Sequence, residues 1–273
     1  MEARFLEPDR AFFRFTGPDA IRYLNGQVTA NVAKLVEGEA LPALVPNPKG
    51  MILGLVWLHR VEDAIWVDAP GSQREELGMR LERYLIADDA EMEDRSDEFG
   101  LVHQVGSGEG VVAWRWGLAG RDQRVSLADW PQEAGDDPEA LRVAQGIPLW
   151  GQELSESVLP AEVGLDEYGV DFHKGCYLGQ EVISRMKLSG KVRQRLCHFQ
   201  LEGEAAEGQE LFREGREQAV GRLTSIAGQE ALGFVKSALV EEGASFEIEK
   251  GLSSSAILRQ ACRPRLRAEI PTP

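Results

Sequence analysis

Cysteine is scarce: Cys176, Cys197 and Cys262 are the only three in 273 residues. An odd number at wide spacing fits neither a disulfide framework nor a CxxC-type zinc or cluster site. Four scattered histidines do not complete a ligand set, so no permanent metal is expected. No window approaches the run of about eighteen apolar residues that a membrane helix needs, which excludes such a span. Positive charge is also short, with 30 Lys plus Arg against 45 Asp plus Glu and a formal net charge of -15. Proteins that live on phosphate contacts usually show the opposite excess, so direct nucleic-acid binding is disfavoured. Repeats, low-complexity tracts, a Ser/His/Asp order, a phosphate-binding loop and a dinucleotide fingerprint are all missing. The opening Met-Glu-Ala-Arg-Phe has the features of neither a secretory signal nor a transit peptide, and a cytoplasmic protein is the expectation.

What is present is a chain that is 43% hydrophobic, enough for a sizeable core in one large domain or two to three small ones. Phe13 and Phe15 alternate with Arg14 as in a strand. Gly17-Pro18-Asp19 then turns into a short helix through Ile21 and Leu24, which Asn25-Gly26 can end. A second short helix is expected through Val32 and Leu35. Pro46-Asn47-Pro48-Lys49-Gly50 is a turn cluster, followed by a buried strand from Met51 to Leu58 and a hairpin partner from Ala64 to Val67. Ser72 and Glu75 have capping-box spacing, with Leu77, Leu81, Tyr84 and Leu85 at helical intervals behind them. Strand-like runs follow at Leu101 to Val105, Val111 to Trp116 and Arg124 to Leu127, then a helix through Leu141, Val143 and Ala144. After about residue 197 short apolar segments alternate with Gly and Glu clusters, the texture of a small β domain or barrel.

One segment carries unusual chemistry: His173-Lys174-Gly175-Cys176-Tyr177-Leu178-Gly179-Gln180-Glu181. Glycines on both sides of a cysteine allow positive φ and close backbone approach. If Gly179 opens a helix through Val182, Ile183 and Met186, its dipole and Lys174 would both favour a thiolate at Cys176. The plainer alternative is that Cys176 is a small buried hydrophobe in a tight turn. His173 is placed as a general base for the cysteine, or as a solvated loop histidine. The basic run Arg185, Lys187, Lys191, Arg193 and Arg195 reads as a ligand-tail or partner contact, or as a solvated face.

Lys174-Gly175-Cys176-Tyr177-Leu178-Gly179-Gln180-Glu181 resembles the K-G-C-[YF]-x-G-Q-E signature of the YgfZ-type folate-binding proteins, relatives of the glycine-cleavage T-protein, an aminomethyltransferase. Thr16 to Ala20, Tyr23 to Thr29, Asn47 to Gly50, Arg142 to Gly146 and Pro160 to Leu165 are similar to other family segments in the same order. The resemblance covers roughly residues 11 to 200. It implies an α+β, T-protein-like architecture in three parts around a central folate cavity. Residues 1–50 plus 136–196 would form a discontinuous folate-binding domain, 51–135 a ferredoxin-like domain, and 197–273 a C-terminal β-barrel. Tetrahydrofolate is the implied ligand. Cys176 is the implied key residue, and Asn25, Arg142, Glu162, Lys174, Gly175, Tyr177, Gly179, Gln180 and Glu181 are candidates for the folate cavity. For Glu162 two roles stand side by side, a hydrogen bond to the pterin ring or the capping and solvation of a loop.

The implied function is support of the maturation or repair of iron–sulfur enzymes, and through them of transfer-RNA modification, with those enzymes or their assembly factors as partners. A folate-dependent one-carbon transferase and a non-catalytic scaffold are the alternatives. The transferase reading meets a departure. Where aminomethyltransferases carry a carboxylate after the turn, this chain has Met51-Ile52-Leu53-Gly54-Leu55, and glycine can move no proton.

Overall fold

The opening residues form two strands, β1 (Arg4–Glu7) and β2 (Arg10–Thr16). In β2 the period of two is complete: Ala11, Phe13 and Phe15 enter one hydrophobic cluster, and Phe12 enters another. A computed structural model of the chain describes residues 3–249 and 254–267. Onward from β2 come α1 (Ala20–Gln27), β3 (Ala40–Pro46), β4 (Ile52–Val61), β5 (Ala64–Pro70), α2 (Arg74–Glu82) and β6 (Glu91–Asp94). Then follow β7 (Phe99–Val105), β8 (Val111–Ala113) and β9 (Gly120–Ser126). Two antiparallel sheets result, one of five strands in the order β3-β4-β5-β2-β6 and one of four in the order β1-β7-β9-β8. The expected hairpin is there, with Leu58 opposite Val67.

Both sheets belong to the first of two compact units, made of the described residues of Met1–Asp137, Tyr168–Gln180 and Arg265–Pro273. One face of the five-stranded sheet buries Phe13, Phe15, Val56, Leu58 and Val67 against Tyr23 and Leu24 of α1 and Leu77 and Leu81 of α2. Each such side chain contributes roughly 1.5–3 kcal/mol by leaving water. Residues of the opposite face, Phe12 and Trp66, pack with Leu101 of β7.

That second face also holds an ionic layer between the sheets. Asp68 Oδ2 lies 2.7 Å from His59 Nε2 and 2.7 Å from Arg115 Nη2, while Arg10 bonds its other oxygen. Arg115 Nε reaches Asp122 Oδ2 at 2.7 Å, and Asp122 Oδ1 is 2.7 Å from His103 Nδ1. Burial alone would raise both carboxyls. Arg115, Arg10 and His59 outweigh it at Asp68, which lies well below the usual carboxylate range, and Arg115 and His103 do so at Asp122.

The second unit, Pro138–Glu167 and Glu181–Pro264, contains α3 (Glu139–Gln145) and most of α4 (Gln180–Ser189). It also holds six strands: β10 (Gln194–Glu202), β11 (Glu210–Phe212), β12 (Gly221–Ala227), β13 (Glu230–Lys236), β14 (Ser245–Ile248) and β15 (Ser255–Ala261). They close into a barrel in the order β10-β13-β12-β11-β14-β15 around Phe199, Leu223, Phe246 and Leu258.

Three local expectations need correction. Asn25-Gly26 does not end α1, which runs on to Gln27; Asn25 Oδ1 instead accepts from Val32 N at 3.0 Å, and the second helix shrinks to a 3-10 turn at Val32–Lys34. Ser72 and Glu75 form no capping box. A 3-10 turn at Gly71–Gln73 precedes α2, because buried Gln73 donates its amide to Leu53 O at 2.7 Å. Tyr84 and Leu85 lie beyond the helix end at Glu82.

Candidate functional site

The signature segment is laid along the end of α1. The last carbonyls of a helix have no partner within it and form its negative pole. Lys174 supplies what α1 lacks: its Nζ donates to Asn25 O at 2.5 Å, Val28 O at 2.7 Å and Ala30 O at 2.7 Å. The side chain is buried, and burial pulls the ammonium down to about 8, Asp171 working the other way. Further bonds fasten the segment on either side of the lysine. Asp171 N donates to Thr29 O at 3.0 Å and Leu178 N to Gly26 O at 3.1 Å. Thr29 Oγ1 donates to Gly169 O at 2.5 Å.

Gly179 completes the fastening. It has φ +79°, and a Cβ on it would stand 2.3 Å from Asn47 O. That carbonyl belongs to the 47–50 turn, where Asn47 Oδ1 accepts from Lys49 N at 2.8 Å and Met51 N at 3.1 Å. Only glycine tolerates both the backbone angle and the contact. The helix expected after it is α4, with Gln180 half-buried and Glu181 exposed in its first turn, an acid where the dipole favours one.

Between these fastenings Cys176 is exposed, which corrects the reading of it as a buried small hydrophobe. It borders a cleft of about 390 Å³ together with Gly26, Gln27, Tyr84, Tyr177 and Leu178. Gln27 Oε1 is held by Arg80 Nη1 at 2.8 Å, and Arg80 lies 5.1 Å from the Tyr84 ring centre. Tyr177 is buried, its Oη has no hydrogen-bond partner among the described residues, and burial pushes it up to about 12. Gly175 is exposed, with open space where a side chain would stand.

Lys174 therefore has a different role from the one its spacing implies. Its three donors match three carbonyls, so none is left for a folate or for the sulfur of Cys176. His173 is exposed, and no hydrogen bond joins it to Cys176 among the described residues. Arg142 is likewise committed inside the second unit. It donates to Glu139 at 2.8 and 2.5 Å, Ile147 O at 2.9 Å, Glu153 at 3.1 Å, Gln152 at 2.9 Å and Ser225 Oγ at 2.6 Å. That set ties α3 to β12 and leaves no free donor. Glu162 Oε2 accepts from Leu159 N at 3.0 Å, capping the 3-10 turn at Pro160–Glu162, and burial raises its carboxyl. In the basic run, Lys187 pairs with Asp166 at 3.1 Å. Gln27 and Tyr84 were not among the expected site residues. Gln27 stands inside the G-Q-V-T segment, and Tyr84 reads from sequence only as one more helix-face aromatic.

Residues 193–268 match the family of CAF17 C-terminal beta-barrel domains. The chain is 28% identical over 252 residues to an aminomethyltransferase of Rubrobacter xylanophilus, covering 76% of this chain and 66% of that protein. It is 26% identical over 227 residues to the tRNA-modifying protein YgfZ of an Enterobacter species, covering 70% and 69%. The mitochondrial iron–sulfur cluster assembly factor IBA57 homolog of Pyricularia oryzae is 27% identical over 212 residues, covering 68% and 54%. The crystal structure of the glycine cleavage system aminomethyltransferase T from Bartonella henselae has the same fold, with a TM-score of 0.80 at 15% identity over 97% of this chain and 87% of that one. These likenesses together support a YgfZ/CAF17 family, related to the T-protein, for this chain. It spans just under two thirds of the aminomethyltransferase, 66%, and about half of the IBA57 homolog, 54%. No helix among the described residues is long and apolar enough to cross a membrane.

Proposed function

We propose that this chain is a cytoplasmic tetrahydrofolate-binding accessory protein that supports the maturation or repair of iron–sulfur enzymes, and through them transfer-RNA modification. Cys176 is the residue it offers to its client or assembly-factor partner. One observation carries the reading: a lone exposed thiol sits on a segment whose neighbours on both sides are immobilised, Lys174 on three carbonyls and Gly179 on the 47–50 turn. Such an arrangement holds a sulfur in place with little ordering left to do on encounter. A single cysteine cannot hold a cluster alone, so the partner contributes the remaining ligands.

The cleft beside Cys176 fits the proposed folate. Its volume, about 390 Å³, falls within the range of small-molecule sites. Aromatic Tyr84 and Tyr177 with Leu178 give a surface for a flat ring. The Gln27 amide gives a polar group for its edges. When bound, a tetrahydrofolate supplies a carrier for one-carbon units; this chain's residues bind and orient it. The transferase alternative is weakened at Gly54, where a Cβ would stand 2.9 Å from Leu77 Cδ2. The position is closed to a side chain as packed, and no carboxylate stands there for proton transfer.

The test pairs Cys176→Ala with wild type. In cells lacking the protein, the variant should fold but fail to restore the activity of an iron–sulfur tRNA-modifying enzyme; full restoration would refute the role. Calorimetric titration with tetrahydrofolate should show saturable binding to both proteins. Absence of binding to either would remove the folate and favour a scaffold.

A further inference from the structure

A second and larger cavity, of about 520 Å³, opens between the ionic face of the five-stranded sheet and the four-stranded sheet. It shares no lining residue with the cleft at Cys176, and the proposed function leaves it unused. Its chemistry centres on Arg124. The guanidinium carbon lies 3.5 Å from the Trp66 ring centre and 5.2 Å from that of Phe99. Arg10, Arg14, Arg95 and Arg115 in the same unit are each paired with carboxylates. The Arg124 side chain has no hydrogen bond or ion pair among the described residues, and burial draws it down to about 10. A partly desolvated guanidinium seated over an indole, with its N–H groups unpaired, is prepared for a planar, bidentate anion.

The rest of the lining selects among anions. Glu109 and Asp129 border the same cavity and have no ion pair among the described residues. Asp122, also in the wall, is already neutralised by Arg115. One unpaired cation beside two unpaired carboxylates repels a phosphate dianion and complements a ligand bearing one carboxylate and one positive charge. Phe12 and Leu101 supply apolar wall. The volume suits a molecule of modest size.

We propose that the cleft between the two sheets binds a free α-amino acid, its carboxylate on Arg124 and its ammonium group at Glu109 and Asp129. The proposal does not rest on the folate or cysteine reading. It is tested on the full chain by calorimetry with each of the twenty common L-amino acids, with propionate and propylammonium as half-ligand probes. At least one amino acid should bind saturably, at least tenfold more tightly than either half-ligand. Arg124→Gln should weaken it at least tenfold, whereas Cys176→Ala should bind as wild type. If Arg124→Gln does not fold, the double variant Glu109→Gln, Asp129→Asn carries the test, since exposed rim residues are dispensable for folding; it should bind the amino acid no better than propionate. Failure of all twenty to bind, equal affinity in folded Arg124→Gln or in the double variant, or propionate binding as tightly as the amino acid would each overturn the proposal.

Discussion

Lys174 shows how one residue can be visible in a sequence and still be misassigned. A lysine two places before a cysteine reads as an electrostatic helper, yet its amine caps carbonyls of Asn25, Val28 and Ala30. Nothing local announces this, because those acceptors lie 144 to 149 residues upstream. Replacing Lys174 with Met keeps the stem and removes the donors, leaving buried carbonyls unsatisfied at a cost of about 3 kcal/mol. A urea unfolding curve should show the loss as a lower midpoint with an unchanged slope. An unshifted midpoint would mean that water takes the place of the ammonium. Gly179, by contrast, was legible, since it acts through an intrinsic property, a missing Cβ, whereas spacing alone left the exposure of Cys176 open.

At the scale of elements, the contact that matters is between the signature loop and the 47–50 turn. Gly179→Ala places a methyl against Asn47 O, 2.3 Å away, and asks alanine to hold φ +79°. The two effects should destabilise by about 1–3 kcal/mol. They should also loosen the cysteine segment, read as faster amide exchange at Leu178 with exchange in the barrel strands unchanged. Equal protection in variant and wild type would show that the turn does not brace the loop. Strand periodicity made most of these elements readable: β2, the β4–β5 hairpin and the barrel strands follow alternating or short apolar runs. Helix ends were less readable. Gln73 bonds Leu53 O rather than capping, and Asn25 spends its side chain on Val32, choices made by tertiary partners.

On the scale of the whole molecule, the ionic layer sets how the first unit responds to acid. Asp68 and Asp122 titrate in the fold below their ordinary value of 3.8. The stabilisation they give is complete above that value and is lost as pH falls through the lower folded ones. Five of the six tryptophans, Trp57, Trp66, Trp114, Trp116 and Trp130, belong to this unit and only Trp150 to the other, so tryptophan emission mainly follows the first. The melting temperature read this way should hold down to about pH 4 and fall below it. Arg115→Met strands two buried carboxylates and should cost about 3–5 kcal/mol at pH 7. That gap should narrow in acid, and one constant across pH would contradict the role given to the layer. No motif marked it: His59, Asp68 and Arg10 are isolated polar residues on neighbouring strands, and only strand pairing and the facing of the second sheet, which brings Arg115, give them partners.

The dependence of α1 on Lys174 also bears on the order in which the protein is made. During synthesis the strands and helices of residues 4–126 emerge long before the lysine that neutralises the end of α1. Until it arrives, those carbonyls have only water to bond, and the N-terminal unit remains an incomplete nucleus whose closing contact spans more than half the chain. Arrival of Lys174 brings Cys176 with it, two residues behind. A ribosome-bound fragment ending before residue 174 therefore lacks both the plug and the thiol, and the unit still awaits its last segment, which begins at Arg265. Long-range closure of this kind slows folding, and here it keeps the exposed thiol from appearing before the end of α1 can be capped.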